Sequence, residues 1–453
     1  MSEQIKLANS LKECELLAEQ RRNEIRSTKD LLEHNGTVYY ISNNGNDNNS
    51  GKSPQEAWAT VGHYLKNTEQ IKAGDSVLFE RGSTFRLTEH TKMVNGVTYG
   101  AYGEGPKPVL LGSEDNYAGK GYWTKAGENL WKCTLDDDWD AGNMFFDDGK
   151  YFGWKRRYLK DCRKDFDFCH DRPNKTLYLY LTGESPETRF YDIEIGRRFH
   201  GLYCFGSTDI VIDNICIKYT AAHGIALFDA KNVKVSNCEI GYIGGGYHSY
   251  NYEEDGNLCR FGNGIENYGR SLGFTIENCW VYECYDAGVT HQGTKDHDGV
   301  LFKDNLIERC VFNIEFWSHG GNLKNMKFTG NYLRYGGFGF GEYQRTEHSF
   351  NSQINCFINY WPDAENIEIC DNIFEGEYRN AFWWRWTGES KHPGLDIYGN
   401  TFYNNGRFRM NYGTGCIYAV TQEQFEKNIL GFDRAPKGVR MFEYEEMEER
   451  RCC

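Results

Sequence analysis

From Asp209 to Gly413 the chain alternates short apolar runs with polar turns, and the alternation repeats. An apolar strand leads into Asn at seven places: Ile212-Asp213-Asn214, Val235-Ser236-Asn237, Ile276-Glu277-Asn278, Phe302-Lys303-Asp304-Asn305, Phe328-Thr329-Gly330-Asn331, Ile369-Cys370-Asp371-Asn372 and Ile397-Tyr398-Gly399-Asn400. The Asn-to-Asn steps are 23, 41, 27, 26, 41 and 28. A unit of roughly 25 residues cannot bury its strands alone, so such units stack about 4.8 Å apart and share one core. The two long steps read as one coil plus a loop. Asn suits the turn in two ways: it tolerates a left-handed backbone, and its amide can bond the Asn of the next coil. Cys216, Cys238 and Cys279, just after these Asn, are expected to face the interior as small apolar residues.

A second strand follows each turn. These read Gly224-Ile225-Ala226, Gly264-Ile265-Glu266, Gly288-Val289-Thr290-His291, Asn313-Ile314-Glu315-Phe316-Trp317, Gly339-Phe340-Gly341-Glu342-Tyr343, Ala381-Phe382-Trp383-Trp384-Arg385-Trp386 and Arg407-Phe408-Arg409-Met410. The Ile, Val or Phe anchors inward. Its neighbours face out and stack into a ribbon along the axis. The pattern predicts an all-β fold, a parallel β-helix built from one chain.

The flanks differ. Within residues 1–36, apolar positions at Leu7, Leu11, Cys14, Ala18, Ile25 and Leu32 predict a helix. It reads as a cover for the open N-terminal end of the solenoid, or as a coiled-coil contact in a homo-oligomer. Residues 37–112 hold the first coils. Residues 113–197 break the rhythm around Trp123, Trp131, Trp139 and Trp154, and predict an inserted β-rich lobe. The main solenoid covers 198–420, and 421–453 form a cap with an acidic tail.

Net charge is 51 − 65 = −14, with no long basic run, which disfavours nucleic acid as a partner. No stretch approaches the length of a membrane span. The N-terminus lacks a secretory apolar core, so the expected compartment is the cytoplasm, with the 16 Cys reduced.

Tyr39-Tyr40-Ile41-Ser42-Asn43-Asn44-Gly45-Asn46-Asp47, Gly74-Asp75-Ser76-Val77-Leu78-Phe79 and Tyr99-Gly100-Ala101-Tyr102-Gly103-Glu104-Gly105 resemble the opening of bacterial right-handed β-helix proteins of the pectin-lyase-like superfamily. With the Asn coils the resemblance covers residues 37–415. It implies a right-handed parallel β-helix of carbohydrate-active type, with sugar bound along one sheet. Members include lyases, hydrolases, epimerases and phage tailspikes, so the fold does not choose the reaction. The paired-Asp and Gly-His-Gly pattern of polygalacturonases is missing, as is the Arg and Lys pattern of pectate lyases.

The ribbon supplies the candidate chemistry. Carboxylates on adjacent coils would lie about 5 Å apart and on alternate coils about 10 Å. Retaining glycosidases need about 5 to 5.5 Å and inverting ones about 6.5 to 9.5 Å. Glu315 with Glu342 would suit retention, and Glu266 with Glu315 inversion. His291 is a candidate base or hydroxyl donor, and Asp286 an acid or a turn residue. Trp317, His319, Tyr343, Trp383, Arg385 and Trp386 are candidate sugar-binding residues. Asp296-His297-Asp298 shows no recurrent ligand spacing, so no metal or cofactor is expected. These residues predict a glycosidase acting on short oligosaccharides or glycosides. A lyase or epimerase acting on uronates, and a non-catalytic carbohydrate-binding solenoid, are the rivals.

Overall fold

The computed structural model describes residues 7–30, 32–136, 138–248, 259–344, 352–357, 364–376, 380–384, 394–406, 408–412 and 415–444. Three walls of parallel strands run along one axis. The first wall, from Val38–Ile41 to Leu395–Tyr398, holds the strands that enter the Asn turns. The second is a ten-stranded sheet from Thr84–Arg86 to Gly438–Phe442. The third, from Thr91–Lys92 to Phe408–Tyr412, holds the second strands. First and third walls merge because Ile225–Ser236 and Ile265–Glu277 each pass from one to the other.

The apolar pattern sets this register. Ile212, Val235, Ile276, Phe302, Phe328, Ile369 and Ile397 form one column of paired, fully buried residues. Leu202, Ile225, Ile265, Val289, Ile314, Ile354 and Phe382 form the facing column on the third wall. Burial of each such side chain contributes about 1.5–3 kcal/mol.

The seven Asn do not share one position. Asn214, Asn237 and Asn278 are left-handed turn residues, with φ of 58°, 54° and 52°. In the later coils Asp304, Gly330, Asp371 and Gly399 take that place, with φ of 54°, 68°, 58° and 68°. Asn305, Asn331, Asn372 and Asn400 follow one residue on and point inward. Each Nδ2 donates to the next Oδ1, at 2.9, 2.9 and 3.0 Å, and Asn400 ends the ladder on Asp433 at 2.8 Å. Cys238 and Cys279 continue this column as core residues. Cys216 lies on the second wall instead, facing outward near Glu239 and Lys218.

Helix α1 (Leu11–Arg26) does not cover the end of the solenoid; it lies lengthwise on the second wall. It starts near Tyr403, whose hydroxyl accepts the Ala8 N–H at 3.0 Å, and ends near Asn214, which accepts from Thr28 at 2.7 Å. The reason is charge complementarity. Arg22 forks onto Glu308 with both contacts at 2.8 Å, and Arg26 onto Glu239 at 2.8 and 3.1 Å. The first coil is closed instead near helix α2 (Val61–Lys66), whose Val61 and Tyr64 enter the core with Ile71. Helix α3 (Gln422–Leu430) closes the other end with Phe425 and Ile429, while Phe432 packs on Phe382 and Phe402.

Insertions gather at one corner. The lobe enters between Val109–Leu111 of the second wall and Leu202–Phe205 of the third. It has a three-stranded and a five-stranded sheet around Trp123, Phe166, Phe168 and Leu177. The long loops after Glu239–Ile243 and Tyr332–Arg334 leave from the same corner. Arg260 ties the three together, donating to Gly142 O at 3.2 Å and to Gln344 Oε1 at 2.9 Å, while Gln344 donates to Gly153 O at 2.9 Å. The described parts of these insertions thus form a rim beside the third wall.

Candidate functional site

Strand alternation aims one residue per coil outward from the third wall, and pairing aligns these residues. Ala226, Glu266, Thr290 and Glu315 are successive register partners. The two glutamates therefore lie on one face with a single strand between them, about 9.6 Å apart at the backbone by two strand spacings. Each is only 6% exposed. A carboxylate so buried needs partners. Glu266 accepts from His223 Nε2 at 2.8 Å and from Asn263 Nδ2 at 2.7 Å. Burial pushes the Glu266 carboxyl up, but His223 and these donors outweigh it and hold the group below its ordinary range. Among the described residues, Thr290 Oγ1, buried between the glutamates, has no hydrogen-bond partner.

A column of glycines lets successive coils approach closely at the start of these strands. A Cβ on Gly224 would meet Gly264 O at 2.6 Å, and one on Gly264 would meet Gly288 O at 2.5 Å. The coils close up there, and the residues just before, His200, His223 and Asn263, come into line.

The other expected residues divide. Trp317 faces outward two residues beyond Glu315, part exposed, with the exposed His319 ring 5.3 Å away. Phe316 points into the core. Trp383 occupies the third wall in register with Asn355, two coils beyond Glu315. Arg385 and Trp386 lie outside the described residues. Asp286 sits in the turn before Ala287–Gln292, where its N–H donates to Gly262 O and its carbonyl accepts from Val311 and Phe312. It is four residues from Thr290, about 13 Å along the strand, and so apart from the glutamate pair.

Three expectations are overturned. Glu342 is not in the ribbon: Ile354 pairs with Ile314 where Phe340 was expected, and Phe340–Tyr343 is a short helix in the rim. Gly337 and Gly339, with φ of 86° and 111°, turn the chain out of the coil. Glu342 is buried at 2% in that segment, so the retaining pair with Glu315 does not exist. Tyr343 packs on Phe152 of the lobe at 6.1 Å and is no sugar platform. His291 is on the wrong face, because Thr290 takes the outward position. Its ring is fully buried against Phe316 and Phe328, 4.7 Å from His297, and among the described residues neither nitrogen is hydrogen-bonded. Since His297 also points inward while Asp296 and Asp298 bond Asn322 and Asn325 outside, these three cannot converge on an ion.

The buried pair gives a prediction. Burial holds His291 well below its ordinary pKa and His297 down to about 4. Unfolding frees both to take up protons below about pH 6.5, so stability falls as pH drops from there toward 4. His297 alone accounts for about 3 kcal/mol of that loss. His291→Phe should raise stability at pH 7 by about 1–2 kcal/mol by removing unsatisfied buried nitrogens. It should also flatten the acid slope, read by urea midpoints between pH 7 and 5. A lower midpoint at pH 7 contradicts this placement.

A cleft of about 810 Å³ lies elsewhere, between α1 and the second wall. Arg22, Arg26, Lys218, Glu239, Glu308 and Arg334 line it and are paired with one another or with α1. That pairing fastens the helix; the third wall is where a carboxylate pair and an unpartnered hydroxyl converge.

A family model described as the right handed beta helix region matches residues 185–340. No curated protein matches the chain. Among solved structures, one titled glycoside hydrolase is similar at TM-score 0.51 and 9% identity, over 90% of this chain and 97% of that one. XylC in complex with xylose is similar at TM-score 0.41 and 14% identity, over 91% and 76%. A pectate lyase is similar at 0.37 and 11%, over 82% and 74%. The chain is a right-handed parallel β-helix. No helix among the described residues is long and apolar enough to cross a membrane.

Proposed function

We propose that the protein is a glycoside hydrolase that cleaves short oligosaccharides with inversion at the anomeric carbon. The observation that carries the reading is the register of Glu266, Thr290 and Glu315. It sets two carboxyls across one intervening strand, and their side chains need lean together only slightly to enter the spacing of about 6.5–9.5 Å that admits a water beside the sugar. Glu266, held ionised by His223 and Asn263, is the base that takes a proton from water. Glu315 is the acid that gives a proton to the leaving oxygen. Thr290 Oγ1 offers a hydrogen bond to a group held between them, and Trp317 a ring face for the leaving sugar.

The alignment with a solved structure titled glycoside hydrolase agrees with this reading but, at 9% identity, speaks for the fold. The test is hydrolysis of a panel of nitrophenyl glycosides and neutral and acidic oligosaccharides of two to six rings. Reducing ends released without an ultraviolet-absorbing unsaturated product support hydrolysis. An unsaturated product assigns elimination instead, and binding without turnover assigns a lectin-like role.

A further inference from the structure

One column beside the glutamates has no part in the chemistry above beyond its last members. His90, His200 and His223 stack face to face along the third wall, with ring centroids 4.8 and 5.1 Å apart and planes at 30° and 9°. A chain of main-chain bonds fixes them. The N–H of His200 donates to His90 Nδ1 at 2.9 Å, that of His223 to His200 Nδ1 at 3.2 Å, and that of Asn263 to His223 Nδ1 at 3.0 Å. Asn263 extends the series, its Oδ1 accepting the Ala287 N–H at 2.9 Å.

A backbone N–H can only donate, so every Nδ1 in the column is bare and each neutral ring keeps its proton on Nε2. Burial, with the neighbouring His and Arg198 charges, holds His200 well below its ordinary pKa and His90 down to about 4, so both rings are neutral at pH 7. His223 gives its Nε2–H to Glu266. His200 is 7% exposed, and among the described residues neither its Nε2 nor that of His90 has a protein acceptor. Both nitrogens of each ring are therefore committed, one to a main-chain donor and one to a proton. That suits donation to an oxygen and does not suit metal ligation. Aromatic rings flank the pair: Tyr203 stacks on His200 at 5.5 Å and 7°, and Trp139 meets His90 edge-on at 5.0 Å.

We propose that His90 and His200 form a sugar-binding subsite on the N-terminal side of Glu266, with two fixed N–H donors and the rings of Tyr203 and Trp139. The substrate is then an oligosaccharide that extends from the cleaved bond toward the first coils, and not a simple glycoside. The inference deepens the hydrolase reading and rests on Glu266 as a member of the cleaving pair.

His200→Asn is the informative change. Asn keeps an acceptor for the His223 N–H, as Asn263 does for the Ala287 N–H two coils on, but its shorter side chain draws the N–H donor back from where His200 Nε2 stands. The ratio of kcat/KM for the best trisaccharide of the panel to that for the matching nitrophenyl monoglycoside should fall about tenfold, mostly through KM. An unchanged ratio overturns the subsite. A second measurement separates it from the cleaving pair. In Glu315→Gln protein with 15N-labelled histidine, the Nε2–H signal of His200 should shift when a mixture of neutral trisaccharides is added. A shift with no cleavage by the wild type leaves the subsite standing and sinks the hydrolase. Cleavage by the wild type with no shift does the reverse.

Discussion

Glu315→Gln should lower kcat on every cleaved substrate by about 10²- to 10⁴-fold, with KM little changed. Gln keeps the shape and loses the proton that a leaving sugar oxygen needs. Glu266→Gln should cost as much, for the complementary reason that no group is left to deprotonate water. The two should respond differently to chemical rescue. A small anion such as azide, entering the space vacated by the base, should restore turnover to a Glu266→Ala protein by acting as nucleophile. A substrate with an activated leaving group should instead relieve the Glu315→Gln protein, since departure then needs no acid. Full activity in either Gln variant would remove that residue from the mechanism.

The largest effect on stability is expected far from that face. Arg334 is 2% exposed and sits between Glu375, at 2.7 Å, Glu308, at 2.9 Å, and Glu15 of α1, at 2.7 Å. Tyr332 and Tyr335 direct their hydroxyls at Glu375 as well. Burial pushes Glu308 up, but Arg334 and Arg22 hold it down to about 2. Arg334→Ala leaves two buried carboxylates short of their shared cation and should cost about 3–5 kcal/mol in unfolding free energy. Denaturant midpoints would read it. Because Arg334 also holds Glu15, the first turns of α1 should gain amide exchange in a milder Arg334→Lys protein. A loss below about 1 kcal/mol for Arg334→Ala would mean that α1 and the second wall are not coupled through this residue.

The solenoid was legible in the chain because its signal is redundant. Seven apolar residues ahead of seven turns must all face one core, and slipping any one of them by a residue would expose it. The Asn were legible as a repeat but not as two structural roles. The single step of 27 between Asn278 and Asn305, where neighbouring coils step 26, was the mark of the shift from turn to interior. In the site, Glu266 and Glu315 could be read because each directly follows an inward Ile. Glu342 misled because Gly339-Phe340 imitates the Gly-Ile opening of a third-wall strand inside a segment that belongs to the rim, although Glu342 comes one residue later than the Glu of Gly264-Ile265-Glu266. His291 misled because outward and inward neighbours differ by one position, and only the pairing of Thr290 with Glu266 decides between them.

The histidine column was within reach and was missed. His200-Gly201-Leu202, His223-Gly224-Ile225 and Asn263-Gly264-Ile265 repeat a polar residue ahead of the Gly that opens each strand. His90 could not have been found this way. It lies 110 residues before His200, beyond the whole lobe, and reaches the column only because Thr91–Lys92 pairs with the strand that begins at Leu202. Helix α1 was recognised as a helix but misplaced at the open end of the solenoid, since its position depends on Glu239 and Glu308 facing outward from the second wall.

The anomeric configuration of the first sugar released, followed by proton NMR before mutarotation, probes the Glu266 and Glu315 pair most directly. Two carboxyls separated by an intervening strand predict a product of inverted configuration from the first turnover onward. A product of retained configuration would require a nucleophile close to the acid, and would contradict the arrangement described for this face.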